Sequence, residues 1–163
     1  MKKLLIPAAL MTLLPFASVA ADEDISGTYN LVSSTRKILD TGEIKDTFGK
    51  HPKGSIIYGK EGRFLVIATN DDRPKPESID KMTDQQRADL LRTMLAYGGT
   101  YNFDGKIVEH HVDVSWNQIW NGTTVIRDVK REGNQLVYTA RPAPFPSDGK
   151  MSVLTVVWEK VEK

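Results

Sequence analysis

Residues 101–116 read YNFDGKIVEHHVDVSW, and this stretch carries the clearest local structural signal in the chain. Aspartate followed by glycine at 104–105 is typical of a tight hairpin turn, and both flanks alternate apolar and polar residues as strands do. With a two-residue turn, Phe103 pairs with Lys106 and Tyr101 with Val108. One face then holds Tyr101, Phe103, Val108, His110, Val112, Val114 and Trp116. We expect this apolar face to point into the interior of an antiparallel sheet.

The same pattern recurs along most of the chain. Two further hairpins are predicted around the turns at 61–62 and 132–134. The predicted strands outside the first hairpin are 25–33, 54–58, 64–68, 123–131, 135–141 and 151–160. Short strands joined by tight turns favour a closed antiparallel sheet over a βαβ fold. We therefore predict an all-β fold, a single up-and-down antiparallel β-barrel of about eight strands.

One segment departs from the strand pattern. Thr83 and Gln86 have the spacing of a capping box, which marks a helix start. The apolar residues Ala88, Leu91, Met94 and Leu95 follow at helical spacing, and two glycines end the run at 98–99. We predict one amphipathic helix over 83–97, packed against the barrel or across one of its mouths.

The N-terminus has the composition of a signal peptide. Two lysines at positions 2 and 3 precede an apolar run, and small residues at 18–20 provide a cleavage site after Ala20 or Ala21. The run is shorter than the roughly 20 apolar residues of a transmembrane helix, so we expect no membrane span. The predicted organisation is a signal peptide at 1–20 and a single β-barrel domain at 21–163. The mature protein is then periplasmic or secreted.

Composition excludes several classes of function. The chain has 22 Lys and Arg against 21 Asp and Glu among 163 residues, whereas nucleic-acid binders usually carry a concentrated basic excess. It has no cysteine, which excludes thiol nucleophiles and cysteine-rich metal sites. Serine-nucleophile, Walker and dinucleotide motifs are absent. Glu109, His111 and Asp113 share the outer face of their strand, and we interpret them as solvated. We expect no nucleic-acid partner, no metal and no cofactor.

Two ionisable side chains, a histidine and an arginine, fall on inward faces. His110 lies on the apolar face of the first hairpin, and Arg127 alternates with Val125 and Val129 on a later strand. A two-residue turn at 133–134 puts Tyr138 on the face of Arg127. A buried guanidinium must be paired or hydrogen-bonded, so Arg127 is either a structural residue or the hook for a ligand carboxylate or carbonyl. His110 is likewise either a core histidine or a residue that contacts the ligand.

These residues lead to a hypothesis about function. We expect a small hydrophobic or amphipathic ligand in the barrel, bound by Tyr101, His110, Trp116, Arg127 and Tyr138. His110 and Arg127 are expected to lie close enough to contact one ligand. The loops 70–81 and 141–150 are candidates for the rim of the cavity.

Two alternatives stay open. One is a cofactor-free isomerase or cyclase in which His110 acts as general base or acid. Arg127, helped by Tyr101 or Tyr138, would then stabilise negative charge on oxygen. The other is a structural envelope protein with a filled barrel. No catalytic residue is assigned on sequence alone.

Seven stretches, taken in order, resemble one family. They are GTYNLVS at 27–33, HPKGSIIY at 51–58, EGR at 61–63, AYGGTY at 96–101, HHVDVS at 110–115, VIR at 125–127 and VWE at 157–159. The sequence is similar to the bacterial and fungal lipocalin-like domain family, although Tyr29 stands where lipocalins proper have a tryptophan. The resemblance implies a closed antiparallel barrel with a ligand-sized interior, and it implies no particular substrate.

Overall fold

The computed structural model describes residues 24–162, so the predicted signal peptide lies outside the described residues. The elements are β1 Gly27–Ile38, β2 Ile44–Asp46, β3 Lys53–Tyr58, β4 Arg63–Thr69, α1 Asp84–Arg92, β5 Met94–Phe103, β6 Ile107–Ser115, a 3₁₀ turn Gln118–Trp120, β7 Thr124–Glu132, β8 Gln135–Thr139, β9 Ala143–Pro144 and β10 Met151–Lys160. Between residues 24 and 162, no helix has the length and apolar character needed to cross a membrane.

Eight of the strands form a closed antiparallel barrel. Their order around the barrel is β1, β3, β4, β5, β6, β7, β8 and β10, and β10 pairs back with β1. The short strands β2 and β9 extend the sheet beside β1 and β10 at one end. The predicted all-β, up-and-down barrel with one α-helix is confirmed.

Alternation along the strands separates the core from the outer surface. In β4, Phe64 and Val66 are buried while Leu65 and Ile67 between them are exposed. Tyr29 is buried in the core at 1% exposure, and its hydroxyl donates to the carbonyl of Ile25 at 3.1 Å. The phenol therefore occupies a buried position of the kind that the family resemblance assigns to a tryptophan.

The first predicted hairpin has the expected faces but a different register. Phe103 pairs with Val108 and Tyr101 with His110, a shift of two residues from the predicted pairing. The carboxylate of Asp104 explains the longer loop, because it accepts hydrogen bonds from the backbone amides of Lys106 and Ile107 at 2.8 and 2.6 Å. A shift of two residues keeps the side chains from Tyr101 to Val112 on their predicted faces.

A bulge corrects the prediction for the end of that hairpin. Gly98 pairs with Val114 and Gly99 with Val112, so Asp113 has no partner opposite it. The extra residue reverses the inside–outside alternation, and Val114 is 59% exposed rather than inward. The bulge requires glycine at position 99, because a Cβ atom there would overlap the carbonyl oxygen of His111.

The predicted helix starts correctly and ends too late. Thr83 and Gln86 form the capping box at its N-terminus. The helix stops at Arg92, and Met94 already pairs with Thr69 of β4. Residues 94–97, predicted as helix, therefore belong to β5. The backbone hydrogen bonds to β4 outweigh the local helical spacing of the apolar residues.

Candidate ligand-binding site

One end of the barrel encloses a cavity of about 850 Å³. Most of its wall consists of inward apolar side chains from the strands, including Leu31, Ile56, Val66, Ala68, Val156 and Trp158. Residues 143–147, which comprise β9 and the start of the loop after it, line the cavity, in agreement with the 141–150 loop as a candidate for the rim, whereas residues 70–81 do not line it. The volume falls in the range of pockets that hold small organic molecules.

Arg127 brings a positive charge to this apolar wall. It pairs with Val108 across the β6–β7 ladder, which places it on the inner face of the barrel, and it lines the cavity. Its Nη1 donates to the carbonyl of Ile126 at 2.8 Å. Within residues 24–162, no carboxylate forms an ion pair with it. A half-buried guanidinium without a counter-ion attracts an anionic or carbonyl oxygen.

The second inward arginine is neutralised within the chain. Arg36 of β1 is 7% exposed and forms a bidentate ion pair with Asp148, at 2.8 and 2.6 Å. Its guanidinium also lies 4.1 Å from the centroid of the Phe145 ring, which lines the cavity. The Arg36 hydrogen bonds hold the pKa of Asp148 well below its usual range. These contacts fix the rim segment against β1.

Aromatic rings form another part of the wall. The ring centroids of Trp116 and Trp120 lie 5.1 Å apart and meet edge to face, and Trp120 meets Tyr97 in the same way at 5.3 Å. All three residues line the cavity. Edge-to-face pairs of this kind hold the rings in fixed orientations, so this part of the wall is preorganised.

A hydrogen-bonded chain of side chains lies inside the barrel. The hydroxyl of Tyr138 bonds to that of Tyr58 at 2.8 Å, and the hydroxyl of Tyr58 bonds to Nε2 of His110 at 2.6 Å. On its other side, Nδ1 of His110 bonds to the hydroxyl of Tyr97 at 3.4 Å. His110 is 1% exposed and stacks on Phe64 with ring centroids 4.2 Å apart. The end members Tyr97 and Tyr138 line the cavity, whereas Tyr58 and His110 do not.

Burial sets the protonation of this chain. It lowers the pKa of His110 to about 3, with a further contribution from the positive charge of Arg127. It also raises the pKa of Tyr97 to about 12, against the opposing effect of Arg127, and raises the pKa values of Tyr58 and Tyr138. At neutral pH the imidazole and the three phenols are therefore all uncharged.

The five predicted site residues fall into two groups. Trp116, Arg127 and Tyr138 line the cavity. His110 points inward as predicted but lies behind the wall, within the hydrogen-bonded chain. Tyr101 also lies outside the cavity wall and donates to the carbonyl of Gly59 at 3.1 Å. Ligand contact by any of the five stays a prediction.

Sequence reasoning missed two members of the hydrogen-bonded chain, Tyr97 and Tyr58. It also missed Phe145 at the rim of the cavity. The helical spacing over 83–97 includes Tyr97, and this pattern does not reveal that Tyr97 lies on β5 and points inward. Tyr58 could have been found, because it ends the predicted strand opposite Phe64. The rim position of Phe145 depends on its contact with Arg36, which is distant in sequence.

The outer face of β6 shows no metal site. His111 lies 4.0 Å from Glu109, and its ring nitrogens bond to Asn102 and Thr124. Asp113 pairs with Arg63 at 3.0 Å. Among residues 24–162, no group of three or more histidine and carboxylate side chains has the geometry to hold a metal ion.

Comparison with known proteins agrees with this architecture. The lipocalin-like domain family matches residues 26–161, nearly the whole of the described chain. No curated protein matches the sequence. The match, together with the closed eight-stranded barrel and its interior cavity, shows that the chain belongs to the lipocalin-like domain family.

Proposed function

We propose that the protein binds a small, largely apolar molecule in the barrel cavity, with a carboxylate or carbonyl group of that molecule at Arg127. The observation that carries the proposal is the guanidinium in the apolar wall, which has a backbone carbonyl as partner and no carboxylate in the described chain. The lipocalin-like barrel and its interior cavity also support a binding role in general.

Two contributions to the binding free energy favour an amphipathic ligand. Each methylene group moved from water into the apolar cavity contributes about 0.8 kcal/mol. A charge-assisted hydrogen bond from Arg127 adds about 1.5–3 kcal/mol. A chain or ring system of ten or so carbons with one acid group therefore combines both contributions.

The protonation state of His110 gives the isomerase or cyclase hypothesis less support. With its pKa lowered to about 3, the imidazole is neutral at pH 7, where it is a poor general acid and a weak general base. It also lies behind the cavity wall. Binding is thus the function that the geometry supports best.

Export is the second part of the proposal. The lysines, apolar run and small residues of positions 1–20 support cleavage by a signal peptidase and a periplasmic or secreted location. Intact-mass measurement of protein recovered from the periplasmic fraction and the medium tests this. A mature chain starting after Ala20 or Ala21 is expected, and a chain that retains Met1 there contradicts export by this route.

Calorimetric titration with two probes tests the binding proposal. Dodecanoate carries a carboxylate, whereas N-phenyl-1-naphthylamine is apolar and has no oxygen. Arg127→Met should weaken dodecanoate binding about 10- to 150-fold, equivalent to about 1.5–3 kcal/mol, and change naphthylamine binding little. Lys130→Met, on the outer face of the same strand, should change neither. If neither probe binds the wild-type protein, the proposal is wrong.

A further inference from the structure

The chain Tyr97–His110–Tyr58–Tyr138 joins side chains from four different strands, β5, β6, β3 and β8. Both of its ends line the cavity. Within residues 24–162, neither terminal hydroxyl has a hydrogen-bond partner beyond the chain itself. The chain is therefore a continuous polar element that starts and finishes at the wall of an apolar space.

The number of protons in the hydrogen-bonded chain determines how many donors it can present to the cavity. Each phenol brings one proton and the neutral imidazole brings one, which makes four protons for three internal bonds. When all three bonds are made, the protons run in one of two directions. In either direction one proton remains, on Tyr97 or on Tyr138, and the tyrosine at the opposite end can only accept.

The distances indicate which end carries the remaining proton. The 2.6 Å separation between the hydroxyl of Tyr58 and Nε2 of His110 is short for an N–H donor and ordinary for an O–H donor. This distance favours Tyr58 as the donor to Nε2, and in that direction Tyr138 donates to Tyr58. Nδ1 of His110 then carries the imidazole proton and faces the oxygen of Tyr97. In this direction the remaining hydroxyl proton lies on Tyr97.

Tyr97 is also the end of the hydrogen-bonded chain on which the charge of Arg127 acts. The charge of Arg127 affects the phenol of Tyr97 directly, opposing the effect of burial on its pKa, and both residues line the cavity. Tyr97 is 8% exposed, compared with 2% for Tyr138. Both donors therefore face the same cavity, from strands β5 and β7 on either side of β6.

We propose that Tyr97 is a specificity-determining residue, whose hydroxyl donates to the same ligand oxygen that Arg127 binds, and that His110, Tyr58 and Tyr138 position that donor. This inference rests on the proposed function and deepens it. The site then selects ligands in which one oxygen accepts two hydrogen bonds, as in a carboxylate or a conjugated carbonyl. The buried histidine acts through its tautomer rather than through its charge.

Two measurements test the inference. Long-range ¹H–¹⁵N spectra of histidine-labelled wild-type protein at pH 7 report the His110 tautomer, and protonated Nδ1 with unprotonated Nε2 is expected. The opposite tautomer places the free proton on Tyr138 and overturns the inference. This readout needs no variant, so it holds even if a substitution in the chain prevents folding.

Binding by variants is the second measurement. Tyr97→Phe should weaken dodecanoate binding about tenfold and leave N-phenyl-1-naphthylamine binding within about twofold. Tyr138→Phe should have a smaller effect on dodecanoate, since it removes no donor to the ligand. Thr100→Ala, which removes a hydroxyl from the outer face of β5, is the matched control.

The outcomes separate this inference from the proposed function. Equal losses for both probes in Tyr97→Phe indicate a purely structural role and overturn the inference. Unchanged dodecanoate binding in that variant also overturns it, while the cavity remains a binding site. Failure of both probes to bind the wild-type protein overturns the proposed function, and the inference with it.

Discussion

His110 should make the stability of the fold depend on pH between 7 and 5. The imidazole is 1% exposed, and burial lowers its pKa to about 3, whereas a histidine in the unfolded chain titrates near 6.5. Below about pH 6.5 the unfolded state therefore binds a proton that the folded state does not. The free energy of unfolding is highest above pH 6.5 and falls as the pH is lowered towards 3.

The size of the effect follows from the two pKa values. With about 3 in the folded protein and about 6.5 in the unfolded chain, His110 accounts for a loss of about 2 kcal/mol between pH 7 and pH 5. The carboxyl groups with lowered pKa values, such as Asp104 and Asp148, start from ordinary values near 4 and titrate mostly below this window. The window therefore separates the effect of His110 from that of these carboxyl groups.

Urea unfolding at pH 7 and pH 5 measures this loss in the wild-type protein, His110→Gln and His111→Gln. His111 is the adjacent residue on the outer face, so its variant should lose about 2 kcal/mol, as the wild-type protein does. His110→Gln, which has no proton to gain, should lose little. An equal loss in His110→Gln refutes the reasoning. So does a ring resonance of His110 that titrates between pH 5 and 7 in the folded wild-type protein.

Three further predictions concern the bulge and the rim. Gly99→Ala should lower the Tm by about 5 °C or more, measured by calorimetry, because the added Cβ overlaps the carbonyl oxygen of His111; an unchanged Tm contradicts the bulge geometry. Asp148→Asn should speed hydrogen exchange of the amides at 145–150 several-fold, since the ion pair with Arg36 holds this segment; equal exchange rates argue that the pair is dispensable. Phe145→Ala should speed dissociation of N-phenyl-1-naphthylamine several-fold in stopped-flow experiments, since its ring closes part of the rim, and an unchanged rate shows that the ring does not restrict exit.

Local patterns were sufficient for much of the fold. The alternation along β4 and β10 and the Asp104 turn predicted strands and faces, because each depends on residues close in sequence. The bulge at Asp113 could not be predicted in the same way, since it depends on two glycines of the neighbouring strand. The prediction of the helix end was wrong for a related reason, because the pairing of Met94 with Thr69 is a long-range interaction.

The candidate site follows the same division. The inward positions of His110 and Arg127 came from strand parity, which is local. Their surroundings could not be predicted from parity. The hydrogen-bond partners of His110 come from β3 and β5, and only the closed barrel brings them together. The ion pair between Arg36 and Asp148 joins residues 112 positions apart, beyond the reach of any local pattern.

The position of a bound probe tests the central claim most directly. Intermolecular nuclear Overhauser effects between dodecanoate and methyl-labelled protein distinguish the two faces of β3 and β4, because inward and outward methyl groups alternate along both strands. Binding in the cavity predicts contacts to Ile56 and Val66, which line it, and none to Ile57, Leu65 or Ile67 on the outer face. Contacts confined to the three outer residues contradict the proposal that the barrel interior is the binding site.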